Sequence, residues 1–176
     1  MTTPQFFGYG SLVNLRTHAY PFIGTAQIPG WRRIWRSVDG VPQAVLSVTQ
    51  DSTCTLDGIV AQVPNGDWAA LDKRERLYVR YGLPDKTAIY EVMENLSDAP
   101  APILRSYLDV VAQGYHDHFG PDGVQHFFET TAGWHPIADD RAAPRYPRSV
   151  KVPDEITALV DHHLAVTVKQ PMQPPL

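Results

Sequence analysis

The sequence predicts an α+β fold in which a mixed, strongly curved sheet is followed by helices. The first hundred residues contain short apolar segments of strand character, separated by Gly, Pro and Asp turns. After residue 100 the apolar side chains recur with the 3.6-residue period of a helix. With 176 residues and 43% hydrophobic content, the chain is long enough to form one domain with its own core.

The strand prediction rests on seven segments that are rich in β-branched and aromatic side chains. So many strands in so short a stretch indicate a sheet that curves strongly. The predicted strands are QFFGYG, HAYPFIGTAQI, RRIWRSV, QAVLSVTQ, LDGIVAQVP, YVRYGL and KTAIYEVMEN.

Three helical stretches are predicted after the strands. Gly114 is expected to loosen or end the first, and a second is expected at about 121–131. The third begins at Pro153, which suits a first helical turn, and has acidic residues near its positive end. The apolar face of the first helix consists of Ile103, Leu104, Tyr107, Leu108 and Val111.

The domain organisation is predicted to be simple. Residues 1–168 are expected to form a single domain without internal repeats. Three of the last eight residues are prolines, so 169–176 is predicted to be an extended, flexible tail.

Charge and cysteine content exclude several classes of protein. The net charge is -4, with 15 Lys and Arg against 19 Asp and Glu, so no nucleic-acid partner is expected. The single cysteine, Cys54, has no partner for an internal disulfide. Neither a signal peptide nor an apolar run of about 18 residues is present, so a soluble, cytoplasmic protein without a membrane partner is expected.

A short helix is predicted between two of the strands, from about Trp68 to Arg76. Asn65 or Asp67 is expected to cap its first turn with a side-chain oxygen. At 100° per residue, Lys73 and Arg74 point away from the packing face of this helix.

Glu75 is the unusual residue of this helix, because it shares the packing side with Trp68 and Leu71. A carboxylate directed toward an apolar interior is costly unless it is paired, and burial raises its pKa toward the range useful for proton transfer. The alternative is that Glu75 reaches solvent at the helix end and pairs with Arg76 or Arg80.

The turn after the first strand is a candidate binding site. Tyr9, Gly10, Ser11 and Leu12 follow the strand, and the N–H groups of such a turn can converge on an anionic oxygen. The lysine of a phosphate-binding loop is missing, so a small carboxylate fits this turn better than a nucleotide phosphate. The alternative is an ordinary strand-ending turn without a ligand.

Several segments, taken in order, resemble the γ-glutamylcyclotransferase-like superfamily, which includes glutathione-degrading and AIG2-like branches. The resemblance spans about residues 5–115. Its most specific part is the Y-G-S-L turn, followed some sixty residues later by L-D-x-x-E-x-x-Y-x-R. The segments that carry it are FGYGSL, GWRR, LDGIVAQV, LDKRERLYVR and SYLDVVAQG.

This resemblance implies a small mixed β-barrel flanked by helices, and an enzyme of the acyl-transfer or lyase type. Such an enzyme cleaves a γ-glutamyl amide by cyclising the glutamyl part to 5-oxoproline. It implies that Glu75 is the catalytic acid and base. It also implies that the turn formed by Tyr9, Gly10, Ser11 and Leu12 holds the α-amino and α-carboxylate end of the substrate, and that Tyr78 and Tyr107 line or support the pocket.

No cofactor is implied by this chemistry, and no metal site is expected from the sequence. His116, His118 and His126 lie close together, but residues two apart on a helix do not face each other and no cysteine or H-E-x-x-H motif accompanies them. The segment beyond residue 120 is expected to cap the pocket or to mediate self-association as a homodimer. A non-catalytic small-molecule-binding or interaction domain with the same fold is the alternative function.

Overall fold

The computed structural model describes residues 3–167, and its mixed sheet with flanking helices confirms the predicted α+β class. The helices are α1 (Ala69–Arg74), α2 (Arg105–Glu129) and α3 (Asp154–Thr167). The strands are β1 (Gln5–Gly8), β2 (Phe22–Arg36), β3 (Val45–Gln62), β4 (Val79–Gly82), β5 (Thr87–Glu91), β6 (Ile103–Leu104), β7 (Thr131–Ala132) and β8 (Ile137–Ala138).

The main sheet does not close into the small barrel that the resemblance implies. Its six strands lie in the order β4-β5-β1-β3-β2-β7, and β6 pairs with β8 in a separate two-stranded sheet. The edge strands β4 and β7 are short, and within residues 3–167 each pairs on one side only, so no described strand joins the two edges. The sheet is therefore mixed, as predicted, but open.

Four of the predicted strands are in fact two long ones. The segments on either side of Pro29 and Gly30 belong to β2, and its pairing with β3 shifts register there and near Phe22. Gly30 has a φ of 85°, which suits glycine and marks a bulge that bends the strand without ending it. These bulges supply curvature to a continuous hairpin of β2 and β3.

The first predicted helix begins later and extends further than expected. Ile103–Leu104, which were assigned to its apolar face, form β6 and pair in parallel with β8. Gly114 lies inside α2 and does not end it. The interruption occurs at Gly120, with a φ of 68°, and Pro121 then starts a second helical segment close to the predicted 121–131.

Gly114 is instead the point at which α2 packs on the turn after β1. A Cβ atom at this position would lie 2.7 Å from the backbone nitrogen of Asn14 and 2.8 Å from the carbonyl carbon of Val13. The side chain of Asn14 is buried and donates from Nδ2 to the carbonyl of Val110 at 2.9 Å, on the same helix. The helix and the turn therefore share a backbone-to-backbone contact.

Gly114→Ala is expected to lower the free energy of unfolding by about 1–3 kcal/mol, because the added methyl group forces helix and turn apart. Alanine is the better helix former, so a loss of stability here is opposite to the propensity effect. Denaturant unfolding measures it, with Gly82→Ala as the control, since no atom lies within 4 Å of a Cβ there. Equal or higher stability of Gly114→Ala would show that the contact is loose.

The remaining helices agree with the sequence analysis. α1 is shorter than predicted, and Asp67 Oδ1 accepts a hydrogen bond from the N–H of Ala69 at 3.0 Å at its start. α3 lies within the predicted region. The tail 169–176 and the domain boundary at 168 lie outside the described residues. Between residues 3 and 167, no helix combines the length and apolar character needed to cross a membrane.

Candidate functional site

A narrow pocket lies where the turn after β1 meets β3, the end of α1 and the first part of α2. The structure brings all seven sequence-predicted site residues to its wall, and their functional roles stay predictions. They are Tyr9, Gly10, Ser11, Leu12, Glu75, Tyr78 and Tyr107. Phe7, Leu46 and Tyr90 complete the lining and were not singled out from the sequence.

The turn itself contains backbone donors without a partner in the described part of the chain. A single 3-10 turn over Ser11–Val13 follows β1, and the N–H of Val13 donates to the carbonyl of Gly10 at 2.9 Å. Within residues 3–167, the N–H groups of Gly10, Ser11 and Leu12 donate to no protein acceptor. Backbone N–H groups of buried residues are normally paired, so three adjacent unused donors beside a pocket are available to an anionic ligand.

A buried arginine holds the start of this turn in place. Arg33, on β2, is fully buried and donates from Nε to the carbonyl of Tyr9 at 3.2 Å and from Nη2 to the carbonyl of Asp57 at 2.7 Å. The hydroxyl of Tyr115, on α2, donates to the same Tyr9 carbonyl at 2.7 Å. Two elements distant in sequence thus fix the backbone that lines the pocket.

Glu75 follows the last residue of α1 and lines the pocket. Its dihedrals of φ -94° and ψ 31° are no longer helical, and its side chain is 13% exposed. Arg74 Nε donates to Glu75 Oε1 at 2.9 Å. The alternative that Glu75 pairs with Arg76 or Arg80 is wrong.

Arg74 also contradicts the prediction that it points away from the packing face. Its side chain is 11% exposed, and Nη1 donates to the carbonyl of Thr17 at 2.7 Å. Nη2 donates to Thr17 Oγ1 at 3.1 Å, with Ser11 Oγ further away at 3.4 Å. α1 ends at Arg74, so the long side chain can bend back toward acceptors on the turn region that helical periodicity does not include.

Burial sets the electrostatics of the pocket. It raises the pKa of Glu75 above the ordinary glutamate range, although the positive charges of Arg74 and Arg148 act in the opposite direction. Burial likewise raises the pKa of the Tyr9, Tyr78 and Tyr107 hydroxyls well above their usual value. The wall of the pocket therefore carries one titratable carboxyl group and hydroxyls that stay protonated.

This narrow inner pocket adjoins a larger outer cleft. The inner pocket has a volume of about 20 Å³, enough for one water molecule, and the outer cleft about 690 Å³. Four residues line both cavities and mark their junction: Ser11, Glu75, Tyr78 and Tyr107.

The segment 145–148, which follows β8, forms one wall of the outer cleft. The ring of Tyr146 stacks on Tyr107 with centroids 4.1 Å apart and planes 4° from parallel. The sequence predicts that the region beyond residue 120 either caps the pocket or mediates self-association. The segment 145–148 of that region lines the outer cleft. Tyr146 and Arg148 were missed individually, because nothing in the local pattern links them to the turn.

The pocket brings together one carboxylate and backbone N–H donors. Over residues 3–167, no group of three or more His, Cys, Asp or Glu side chains is arranged to hold a metal ion. The chemistry available is one carboxylate of raised pKa beside unused N–H donors. Such a pair can bind an anionic group and move a proton close to it.

No protein-family model matches the sequence, and no curated protein is significantly similar to it. Several solved structures share its fold, and three of them show the extent of the similarity. An uncharacterized protein from Homo sapiens matches 92% of this chain and 99% of its own, with 16% identity and a TM-score of 0.55. A structure named gamma-glutamyl cyclotransferase also matches 92% of this chain and 99% of its own, with 15% identity and a TM-score of 0.54. YkqA from Bacillus subtilis has 16% identity and a TM-score of 0.58 over 76% of this chain, which spans 57% of YkqA. These similarities show that the chain has the γ-glutamyl cyclotransferase-like fold.

Proposed function

We propose that this protein is a cyclotransferase that cleaves a γ-glutamyl amide, releasing 5-oxoproline and an amine or amino acid. The observation that carries the proposal is that Glu75 lines the same pocket as Gly10, Ser11 and Leu12, whose N–H groups donate to no acceptor within residues 3–167. The shared fold with a structure named gamma-glutamyl cyclotransferase supports it.

Substrate binding follows from the two cavities. The α-carboxylate of the glutamyl group binds at the N–H groups of the turn, which offer donors without a competing acceptor. The inner pocket alone is too small for a glutamyl group, so the reacting atoms lie at the junction, against Glu75 and Tyr107. The amine to be released then extends into the outer cleft.

The reaction moves two protons from the substrate's α-nitrogen to the departing nitrogen and needs no external nucleophile. The ionised Glu75 carboxylate accepts a proton from the substrate's α-ammonium group as the α-nitrogen attacks its own γ-carbonyl carbon. A carbon–nitrogen bond forms and closes a five-membered ring. Glu75 then gives this proton to the departing nitrogen as the original amide bond breaks. The ring nitrogen loses its one remaining extra proton to the released amine, which leaves as an ammonium ion. Water is neither consumed nor released, so the atoms and charges balance.

The expected catalytic contributions are large enough to make this machinery sufficient. Holding the attacking nitrogen against the carbonyl contributes up to about 7–11 kcal/mol in well-oriented intramolecular reactions. General acid–base catalysis by one positioned side chain contributes roughly 10²–10⁴-fold. The fixed turn provides the positioning, and the buried Glu75 carboxylate provides the acid–base catalysis.

The pH dependence of kcat/KM reports the proposed base. Glu75 must be ionised to accept a proton, so activity is expected to fall as the pH drops through the pKa of Glu75 in the free enzyme. Because burial raises that pKa, the midpoint of the acid limb is expected above 4.5, the ordinary value for glutamate. An acid limb centred at or below 4.5 would contradict Glu75 as the base.

The proposal is tested by incubating the purified protein with a panel of γ-glutamyl amides and quantifying 5-oxoproline. The panel includes γ-glutamyl amino acids, γ-glutamyl peptides and γ-glutamyl derivatives of lysine and of polyamines. Release of 5-oxoproline from at least one of them is expected. Binding by calorimetry with no 5-oxoproline from any of them would favour a non-catalytic binding domain instead.

A further inference from the structure

The outer cleft carries a concentration of positive charge that the chain as a whole does not have. The net charge of the chain is -4, yet the cleft is lined by five cationic side chains and a single carboxylate, Glu75. The cations are Lys73, Arg74, Arg76, Arg145 and Arg148. A local excess of this kind attracts anions to the cleft.

Four of these cations have no anionic partner among the described residues. Only Arg74 is paired, with Glu75. Across residues 3–167, no carboxylate oxygen lies within 4.0 Å of the nitrogen atoms of the other four. Several arginines outside the cleft do have such partners: Arg32 pairs with Asp51 at 2.6 Å, for example, and Arg141 with Asp109 at 2.8 Å. The charge of the cleft is thus left available to a ligand.

Two of the arginines are held by an anchored segment. The N–H of Arg145 donates to Asp140 Oδ2 at 2.8 Å, and the N–H of Ser149 donates to the carbonyl of Tyr146 at 3.0 Å. Between them, the buried ring of Tyr146 stacks on Tyr107. Arg145 and Arg148 therefore extend from a fixed backbone at the mouth of the site, where guanidinium groups suit the planar geometry of a carboxylate.

We infer that the protein selects γ-glutamyl amides whose leaving amine itself carries a carboxylate, and that Arg145 and Arg148 determine this specificity. The inference rests on the proposed function, which places the leaving amine in the outer cleft. An amino acid or peptide brings its carboxylate to these arginines, whereas a leaving diamine brings a second ammonium group toward them and is repelled. γ-Glutamyl amino acids and peptides are therefore substrates, and γ-glutamyl diamines are poor ones.

Three substrates of similar size test the inference: γ-glutamylalanine, γ-glutamylalaninamide and γ-glutamyl-1,4-diaminobutane. They place a carboxylate, a neutral amide and an ammonium group in the cleft. We expect kcat/KM to decrease in that order, with at least about a tenfold step between the first two, as for loss of a charge-assisted hydrogen bond. Raising the NaCl concentration should weaken the preference, because exposed charges are screened.

Variants identify the residues responsible. Arg148→Met, Arg145→Met and the double variant are expected to lower the ratio of kcat/KM for γ-glutamylalanine over its amide, and the double variant to bring it close to one. Lys151→Met is the matched control: it removes one exposed positive charge three residues beyond Arg148, outside the cleft lining. The ratio should stay at the parent value in that control.

Three negative results have different meanings. Equal kcat/KM for γ-glutamylalanine and its amide in the parent protein at low salt overturns the inference and leaves the cyclotransferase proposal standing. An unchanged ratio in the folded double variant overturns the assignment to Arg145 and Arg148. If no member of the wider γ-glutamyl panel yields 5-oxoproline, the proposed function fails, and the inference fails with it.

Discussion

Glu75→Gln is expected to lower kcat/KM for a γ-glutamyl substrate by at least about a hundredfold. Glutamine keeps the shape of the side chain and a hydrogen-bond acceptor for Arg74, but it cannot accept the proton of the α-ammonium group. Because 5-oxoproline formation requires that transfer, the loss should appear mainly in kcat. Steady-state kinetics with 5-oxoproline quantification measure it.

The same substitution should not destabilise the fold. Burial raises the pKa of Glu75 in the folded state, so the folded protein holds this proton more tightly than the unfolded chain. The contribution of Glu75 to stability therefore falls as the pH rises from 4.5 through the folded-state pKa, and the ionised group is a cost at neutral pH. Glu75→Gln is expected to unfold at an equal or higher temperature at pH 7 to 8.

Glu94→Gln is the matched control, because Glu94 is exposed and outside both cavities. It should retain parental kinetics and stability. Parental turnover in a folded Glu75→Gln protein would rule out the carboxylate as the proton-transfer group, whatever substrate is used. A large loss of stability would instead show that the ion pair with Arg74 outweighs the burial of the charge.

Gly10→Val is expected to weaken substrate binding about tenfold to a hundredfold, because its side chain occupies the pocket where the backbone must approach the ligand. A single Cβ at this position would lie 3.5 Å from Leu46 Cδ2 and 4.0 Å from the Tyr107 hydroxyl, in ordinary contact. Gly10→Ala therefore fits, whereas the two further methyl groups of valine fill a pocket with room for one water molecule.

A graded series separates obstruction from misfolding. Ser11→Ala should have the mildest effect, since the main-chain N–H survives and the contact that its hydroxyl accepts from Arg74 is long, at 3.4 Å. Gly10→Ala should be intermediate and Gly10→Val the most severe. Circular dichroism checks folding, and calorimetric binding of 5-oxoproline together with KM gives the effect. Parental binding by folded Gly10→Val would show that the turn is structural and contacts no ligand.

The helical part of the site could be predicted from the sequence because the relevant signal is local. Leu71 and Glu75 lie four residues apart, so helical periodicity places them on one side; Leu71 is buried and Glu75 nearly so. The same periodicity fails for Arg74, since its acceptors on Thr17 and Ser11 are 57 and 63 positions away. Hydrogen bonds between residues so far apart in the sequence cannot be predicted from helical periodicity.

The sheet illustrates the same limit. Gly and Pro mark breaks and bulges alike, and only the pairing of β2 with β3 decides that Pro29 and Gly30 form a bulge inside one strand. Gly114 read locally as a helix end, whereas its role depends on the backbone of Val13 and Asn14. The segment 145–148 lies in the same cleft as Ser11 of the turn after β1, and only tertiary packing brings the two together.

The most direct test of the central claim follows the oxygen atoms of the product. The purified protein is incubated with a γ-glutamyl amino acid in water enriched in ¹⁸O, and the products are analysed by mass spectrometry. Intramolecular attack by the α-amine predicts 5-oxoproline without ¹⁸O, in equal amount to the released amine, and its loss in Glu75→Gln. Glutamate carrying ¹⁸O in its γ-carboxylate as the initial product would show that water is the nucleophile, and would contradict the cyclisation.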